Sequence, residues 1–250
     1  MSDKMTANSI SQYQAVLETF NKSTRHTANL VPHAPYSVSR QLLNHINSSV
    51  PQGATISIHN QETPPEDELF LSATGGFHDF YKSFDLNLDY FKATDKTAIH
   101  YILDHFAQDR KTLFVHNTLS SADDIIQAKK VCKQVYWATC PNANLYIENR
   151  LPDYRHFLAQ NAKVCIGTDS LTSNWQLDIF EEIKTIKKYK SYLLFETLVE
   201  WACKNGAEAL GFDDQLGTIE KGKTPGLVFV DAELYDEEPD ISDAMSTRLI

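Results

Sequence analysis

Short apolar runs rich in β-branched residues alternate along this chain with amphipathic segments of helical period. This alternation is typical of repeated βα units that build a parallel sheet, so it predicts an α/β fold. Five strands are predicted, at residues 29–33, 55–59, 112–116, 135–139 and 163–168. The predicted helices lie near residues 9–21, 38–47, 65–74, 94–108, 121–131, 153–160, 175–189, 191–205 and 207–210. A turn and a strand are expected within 216–231, followed by a polar acidic tail.

Side-chain direction along the predicted strands is the most informative feature of the sequence. Successive residues of a strand point to opposite faces of the sheet, so each strand has an aliphatic face and a second face. In the strand at 112–116, for example, Leu113 and Val115 are predicted to form the face that helices cover. On the opposite face, four of the strands end with a polar residue at their carboxyl end. These residues are His33, His59, His116 and Asp169. Because (β/α) barrels build their active sites at the carboxyl ends of the strands, a site is predicted at that edge.

His59 begins the segment His-Asn-Gln-Glu, which places the carboxylate of Glu62 three residues after a strand-end imidazole. A neutral imidazole is a good zinc ligand, and the glutamate can reach the same pocket as a proton shuttle. His116 repeats this geometry one strand later, and Asp169 follows the last strand. Each residue also has a structural alternative, such as a hydrogen-bonded histidine or, for Asp169, a helix N-cap or turn residue.

Further polar residues follow the strands and are candidate substrate contacts. His33 stands between two prolines, which stiffen a loop and suit either a preorganised pocket wall or a rigid structural turn. Asn142 lies with Asn144 in a predicted loop after the fourth strand, and Asn174 follows Asp169. Their amides are expected either to orient these loops or to donate hydrogen bonds to a substrate.

Charge and cysteine spacing restrict the partners and the compartment. With 33 acidic and 23 basic residues, the chain has a formal net charge of −10 and no dense basic stripe. Nucleic acid and anionic membranes are therefore not expected as partners. The four cysteines share no paired spacing, and the sequence has neither a signal-peptide pattern nor a long apolar span. We expect a cytoplasmic protein with reduced thiols.

Seven segments together resemble the amidohydrolase superfamily, specifically its cytosine/guanine/S-adenosylhomocysteine deaminase and chlorohydrolase-like branch. The segments are VPHAPYSVS (31–39), SIHNQE (57–62), FVHNT (114–118), CPNANLYI (140–147), IGTDSLTSN (166–174), LDIFEEI (177–183) and LGTIEKGKTPGLVFVD (216–231). They occur in the order of the family and cover most of the chain from about residue 30 onward.

The resemblance implies a distorted (β/α)8 TIM-type barrel with a divalent metal at its mouth, zinc in the first place and iron as the alternative. It assigns His59 as a metal ligand and Glu62 as the proton shuttle beside it. His116 either contacts the attacking water and the substrate or ligates the metal. Asp169 corresponds to a metal ligand and general base, and His33 to a substrate-contacting residue.

The sequence departs from the family pattern because it contains no His-x-His pair, which the first barrel strand of the family contributes. The five predicted strands correspond to the fourth to eighth strands, so residues 1–215 are expected to form an incomplete barrel. Residues 216–250 are expected to return toward a small β-sandwich. Three explanations compete: a fragment of a longer enzyme, a split enzyme with a second chain, and a non-catalytic remnant. The retained Glu62, His116 and Asp169 favour the first.

The sequence therefore predicts a metal-dependent hydrolase of non-peptide C–N bonds in small molecules, and in particular a deaminase of a purine-like heterocycle. In the expected reaction, metal-bound hydroxide attacks a ring carbon or an amidine carbon, and Asp169 takes its proton. His116 stabilises the attacking oxygen, and Glu62 protonates the ring and the leaving nitrogen. Weak metal binding and no turnover are expected of this chain alone. A homo-oligomer and a complementing N-terminal segment are candidate protein partners. A dechlorinase or amidase on the same site, and a non-catalytic binding domain, are the alternatives.

Overall fold

The computed structural model of the protein describes residues 3–26, 28–106, 109–235 and 238–250. These residues form two compact units. The first unit comprises the described residues of 1–135 together with Pro152–Ala162. The second unit comprises Tyr136–Leu151 together with the described residues of 163–250. The domain boundary expected after residue 215 stays a prediction.

The described residues follow a largely alternating order of helices and strands. The strands are β1 (Thr55–Asn60), β2 (Lys111–His116), β3 (Gln134–Thr139), β4 (Lys163–Ile166), β5 (Val228–Val230), β6 (Glu233–Tyr235), β7 (Glu238–Asp240) and β8 (Ser246–Arg248). The helices are α1 (Asp3–Ser23), α2 (Arg40–Ser49), α3 (Pro64–Ser72), α4 (Phe77–Lys82), α5 (Ala98–Leu103), α6 (Ala122–Val131), α7 (Pro141–Glu148), α8 (Tyr154–Ala159), α9 (Ile179–Tyr189), α10 (Phe195–Glu200) and α11 (Gly206–Leu210). A 3-10 turn spans Pro35–Ser37, and a π-helical turn spans Trp201–Asn205.

In the first unit, β1 and β2 pair in parallel over their whole length, from Thr55 beside Lys111 to Asn60 beside His116. Both strands therefore end at the same edge of the sheet. The largest fully buried apolar side chains of this unit are Ile56, Ile58, Leu69, Phe70, Ile99, Ile102, Phe114 and Ile125, together with Leu43 and Tyr154. They come from both strands and from the helices α2, α3, α5, α6 and α8, so the core anchors the strand ends from several sides.

The buried face of β2 differs from the prediction. Phe114 is fully buried, whereas Leu113 and Val115 are only half-buried. The register places Phe114 beside Ile58 of β1, which is also fully buried. The prediction that Leu113 and Val115 form the covered face is therefore wrong. Alternation alone does not indicate which face is covered, and the large ring of Phe114 buries more apolar surface there.

Residues 29–33 are not a strand, contrary to the prediction. One backbone hydrogen bond joins them to β1, from the N–H of His59 to the carbonyl of His33 at 2.9 Å. Pro32 has no N–H with which to continue a ladder, which gives a physical reason for the missing pairing. The four other predicted strands are confirmed as β1 to β4, with ends shifted by one or two residues.

The helix predictions are correct in most places and wrong in three. The predicted loop around Asn142 is helix α7, which begins at Pro141. Proline is tolerated at the first helical position because the N–H that it lacks would have no acceptor within the helix. α4 is an additional helix between β1 and β2. α5 covers only the middle of the predicted helix at 94–108, of which residues 107–108 lie outside the described residues. The expected polar tail contains the short strands β6, β7 and β8.

In the second unit, β3 and β4 pair in parallel from Tyr136 beside Lys163 to Thr139 beside Ile166. β5 pairs with β8, and β6 with β7, as short antiparallel ribbons. Trp137 and Ile186 are among the fully buried side chains of this unit. Among the described residues, none of the helices is both long and apolar enough to cross a bilayer.

Candidate active site

The backbone leaves the extended conformation at the edge where β1 and β2 end. Gln61, His116 and Asn117 have φ values of 44°, 72° and 57°, in the left-handed region that non-glycine residues disfavour. The N–H of Asn117 donates to the carbonyl of Asn60 at 3.0 Å, and the N–H of Leu119 donates to that of Gln61 at 3.2 Å. Such conformations cost about 1–3 kcal/mol each and cluster at functional sites.

Three of the predicted site residues meet at this edge. His59, Glu62 and His116 each offer a ligand atom, and these atoms all lie within 4.8 Å of one another. The Nε2 atom of His116 is 3.5 Å from Oε1 of Glu62, and the His59 and His116 ring centroids are 4.9 Å apart. His116 is 1 % exposed and the side chain of Glu62 is 14 % exposed. The sequence spacing therefore brings two imidazoles and a carboxylate into one small cluster.

The chemistry of this cluster fits a divalent cation such as zinc. Imidazole nitrogens and carboxylate oxygens are zinc ligands, and the ligand atoms of a tetrahedral site lie about 3.3 Å apart at zinc–ligand lengths of about 2.0 Å. The spread of at most 4.8 Å in the cluster is compatible with closure around an ion after small side-chain rotations. Catalytic zinc sites have three protein ligands and an open fourth position; the two imidazoles would supply two of these ligands, and the Glu62 carboxylate lies beside them.

His33 lies next to this cluster. Its ring centroid is 4.7 Å from that of His59, and its Nδ1 atom is 3.2 Å from Oγ of Ser37. Partial loss of solvent and the nearby His116 lower the pKa of His33, which favours a neutral imidazole. A neutral imidazole both donates and accepts hydrogen bonds, so His33 is chemically suited to the predicted substrate contact, which stays a prediction.

A cavity of about 670 Å3 in the first unit reaches His33 and His59. Its walls are mainly apolar and come from α1, α2 and residues 28–33, with Leu17, Phe20 and Leu42 among the lining side chains. Ligand pockets commonly have volumes of about 300–1,000 Å3, with apolar walls and a few polar groups. The cavity therefore provides an apolar space with imidazoles at its margin.

Asp169 belongs to the second unit, where it is exposed and follows β4 by three residues. Its φ is 56°, again in the left-handed region, and the hydroxyl of Ser173 donates to its Oδ2 atom. The N-cap of α9 is Asp178, whose side chain accepts the N–H of Phe180. Asp169 is therefore not the cap of this helix. Its role as metal ligand and general base stays a prediction.

The predicted substrate contacts Asn142 and Asn174 both bind the buried carboxylate of Glu182. Asn142 donates its backbone N–H and its Nδ2 to Glu182, both at 2.9 Å, and Asn174 donates its Nδ2 at 2.7 Å. The Oδ1 atom of Asn142 accepts the hydroxyl of Thr185 at 2.7 Å. Asn142 is fully buried. These contacts favour the alternative in which both amides orient their segments, and substrate binding by them stays a prediction.

Two fully buried carboxylates were not singled out from the sequence, Glu66 in α3 and Glu182 in α9. Glu66 precedes the buried Leu69 by three residues, and Glu182 precedes the buried Ile186 by four. Both acids therefore lie on the buried face of their helix. An acidic residue three or four positions before a buried apolar residue of the same helix is the sequence signal that would have indicated these two carboxylates.

Comparison with known proteins agrees with the motifs. The amidohydrolase family model matches residues 2–248. The chain is 32% identical over 216 residues to an adenosine deaminase of Helicobacter pylori. This alignment covers 84% of this chain and 52% of the relative. It is 27% identical over 216 residues to a 5-methylthioadenosine/S-adenosylhomocysteine deaminase of Teredinibacter turnerae, covering 83% of this chain and 44% of the relative.

The structural comparison leads to the same group. The crystal structure of Helicobacter pylori aminofutalosine deaminase superposes with a TM-score of 0.75 and 26% identity, covering 89% of this chain and 55% of that one. The chain thus spans about half the length of the relatives that it matches. The resemblance found in the motifs is confirmed, and the chain belongs to the amidohydrolase family.

Proposed function

We propose that this chain forms part of the active site of a metal-dependent amidohydrolase that removes an amino group from a purine-like heterocycle. The observation that carries the proposal is the convergence of His59, Glu62 and His116 at one strand edge. The relatives support the reaction class, since they are named as deaminases of adenosine, of 5-methylthioadenosine and S-adenosylhomocysteine, and of aminofutalosine. Because the chain spans about half of their length, the activity is proposed for the whole protein.

His59 and His116 would hold the divalent ion, for which zinc is our first candidate, and the family resemblance adds Asp169 as a further ligand. When bound, such an ion acts as a Lewis acid that makes water a stronger nucleophile near neutral pH. The lowered pKa of His33 favours a neutral ring that can accept or donate a hydrogen bond to the heterocycle.

The protons are moved by the side chains of the protein. Water adds its oxygen to the ring carbon, the C–N bond breaks, and the nitrogen leaves as ammonia. One proton of the water must therefore pass to the leaving nitrogen, while the other stays on the product. Asp169 would accept one proton from the water, and Glu62 would deliver a proton to the leaving nitrogen; exchange of one proton with solvent at each group then restores both carboxyl groups. The 3.5 Å separation of Glu62 from His116 keeps this carboxylate beside the ring that would stabilise the attacking oxygen.

The proposal retains the expectation of an incomplete (β/α)8 barrel. β1 to β4 would correspond to its fifth to eighth strands, because residues 29–33, expected as the fourth, are not a strand. The parallel pairs β1–β2 and β3–β4 support it. The cytoplasmic location and a protein partner, either a second copy or an N-terminal segment, stay predictions.

Zinc binding by the purified chain tests the proposal. Competition with a fluorescent chelator gives the zinc affinity of the wild type and of the variants His59→Ala and His116→Ala. His156→Ala is the matched control, because this exposed histidine lies on α8 outside the cluster. We expect one weak site that either cluster variant weakens at least tenfold and the control leaves unchanged. Equal affinity in all four proteins would show that the proposal is wrong.

A second measurement addresses the substrate class. Methylthio-coformycin is the ligand in a solved complex of the Helicobacter pylori aminofutalosine deaminase. We expect it to raise the melting temperature of the zinc-loaded chain but not that of His116→Ala. Ammonia release from adenosine is expected to be absent with this chain alone, because the His-x-His pair is missing.

A further inference from the structure

Glu66 is a fully buried carboxylate that the proposed reaction does not use. Its Oε1 atom accepts the backbone N–H of Gln61 at 3.1 Å, and its Oε2 atom accepts that of Glu62 at 3.4 Å. Both donors belong to the segment that follows β1 and carries the proposed proton shuttle. The side chain of Glu66 therefore contacts the backbone of Glu62 directly.

The local sequence explains this unusual contact. α3 begins with Pro64 and Pro65, which lack N–H groups, so Glu66 is the third helical residue. A glutamate at this position commonly folds back onto the N–H of the N-cap residue. Here Thr63 is the N-cap and makes no side-chain cap hydrogen bond, and Glu66 reaches the two residues before it instead. The contact thus extends beyond the helix into the site segment.

Gln61, the residue between β1 and Glu62, is held from several directions. Its Nε2 atom lies 3.3 Å from Oδ2 of Asp67 and 3.4 Å from Oδ2 of Asp124, and its Oε1 atom accepts the hydroxyl of Ser120 at 2.7 Å. Its backbone has the strained φ of 44°. With the side chain fixed in this way, the backbone bonds to Glu66 determine the direction in which the chain continues to Glu62.

We infer that Glu66 is a positioning residue, whose side-chain oxygens hold the backbone of Gln61 and Glu62 so that the Glu62 carboxylate stays against His116. The inference rests on the proposed function, because it assigns a purpose to the placement of Glu62. It differs from a simple helix cap, since a cap would stabilise α3 without affecting the chemistry of Glu62.

Amide hydrogen exchange tests the contact itself, without any metal. In Glu66→Gln one oxygen acceptor is replaced by an amide group that cannot accept, so we expect at least tenfold faster exchange at Gln61 or Glu62. Glu68→Gln is the matched control, because Glu68 is exposed on the same helix. Unchanged exchange at both amides in Glu66→Gln would overturn the inference.

A double-mutant cycle on zinc affinity tests the purpose of the contact. The Glu62 carboxylate adds a negative charge beside the ligands, so displacing it weakens zinc binding. We expect Glu66→Gln to weaken zinc binding about fivefold in the wild type and less than twofold when Glu62 is already replaced by Gln. Equal weakening in both backgrounds would show that Glu66 acts elsewhere. Failure of the proposed function is distinguishable, because it would appear as unchanged zinc affinity in His59→Ala and His116→Ala.

Discussion

Glu66 in the first unit and Glu182 in the second are both fully buried carboxylates, and both accept N–H donors from residues that follow a strand. They differ in the donors. Glu182 has one backbone and two side-chain N–H donors at 2.7–2.9 Å, whereas Glu66 has two backbone donors at 3.1 and 3.4 Å.

The consequence of this difference is electrostatic. Burial raises the pKa of both carboxyl groups, and hydrogen bonds to the charged form oppose the rise. Burial is the main cause that raises the pKa of Glu66 to about 8; the neighbouring carboxylates Asp67 and Glu62 add to the rise, and the backbone N–H groups of Gln61 and Glu62 oppose it. For Glu182, burial also raises the pKa, and three N–H donors from Asn142 and Asn174 oppose the rise.

The largest effect is expected for Glu182→Ala. This change leaves the N–H and Nδ2 of Asn142 and one contact of Asn174 without their acceptor, and each buried orphan donor costs about 1–3 kcal/mol. We expect the free energy of unfolding to fall by about 3 kcal/mol. Urea denaturation followed by tryptophan fluorescence measures it, because all three tryptophans lie in the second unit.

Glu181→Gln is the control for this change. Glu181 is the preceding residue on α9, with a partly exposed side chain paired to Lys184 at 2.8 Å. Exposed ion pairs contribute about 0–1 kcal/mol, so little change is expected. If the two variants lose equal stability, the Glu182 hydrogen bonds do not contribute as proposed.

For Glu66→Gln the expected effect is a change in the pH dependence of stability. The folded pKa of Glu66, about 8, lies above the ordinary value of 4.5, so the folded state retains the proton more strongly than the unfolded state. Stability from this group is present below pH 4.5 and is lost as the pH rises through 8, at no more than about 1.4 kcal/mol per pH unit. Glutamine cannot titrate, so the variant should lose less stability than the wild type between pH 5 and 8.

Urea denaturation followed by far-ultraviolet circular dichroism, at pH 5, 6.5 and 8, measures this slope. Glu68→Gln should keep the slope of the wild type. A slope that is identical in Glu66→Gln and the wild type would contradict the comparison between the two buried carboxylates.

The smallest effect is expected for Thr185→Val. The substitution keeps the shape of the side chain and removes one hydrogen bond, from the hydroxyl to Oδ1 of Asn142 at 2.7 Å. A single hydrogen bond contributes about 1 kcal/mol, so the free energy of unfolding should fall by that amount. In the Glu182→Ala background the loss should shrink, because Asn142 is no longer fixed; equal losses would argue against a coupled network.

The sequence predicted the strands β1 to β4 because short β-branched runs with flanking turn residues are a local signal. Where a local signal was ambiguous, the predictions failed. Pro141 and Asn142 are typical of loops as well as of helix starts, and the start of α7 was therefore predicted as a loop. The run at 29–33 has the composition of a strand, but Pro32 removes a donor that pairing requires.

For the candidate site, too, some features were predictable from the sequence and others were not. The sequence predicted the three residues that form the cluster at the strand edge, since their types and their positions at strand ends are visible in the chain. It did not predict that His116 adopts a φ of 72°, or that Phe114 rather than Val115 faces the core. These features depend on the register between strands, which no short segment contains.

Motifs and periodicity are properties of the chain, so the family, the parallel strands and the residue types at their ends were predictable from the sequence. Which carboxylates are buried, and which amides bind them, depends on how distant segments pack. Glu66 and Glu182 obtain their environment and their partners from other elements, such as the N–H groups that follow β1 and β3. A charge in the sequence has no fixed pKa until those partners are in place.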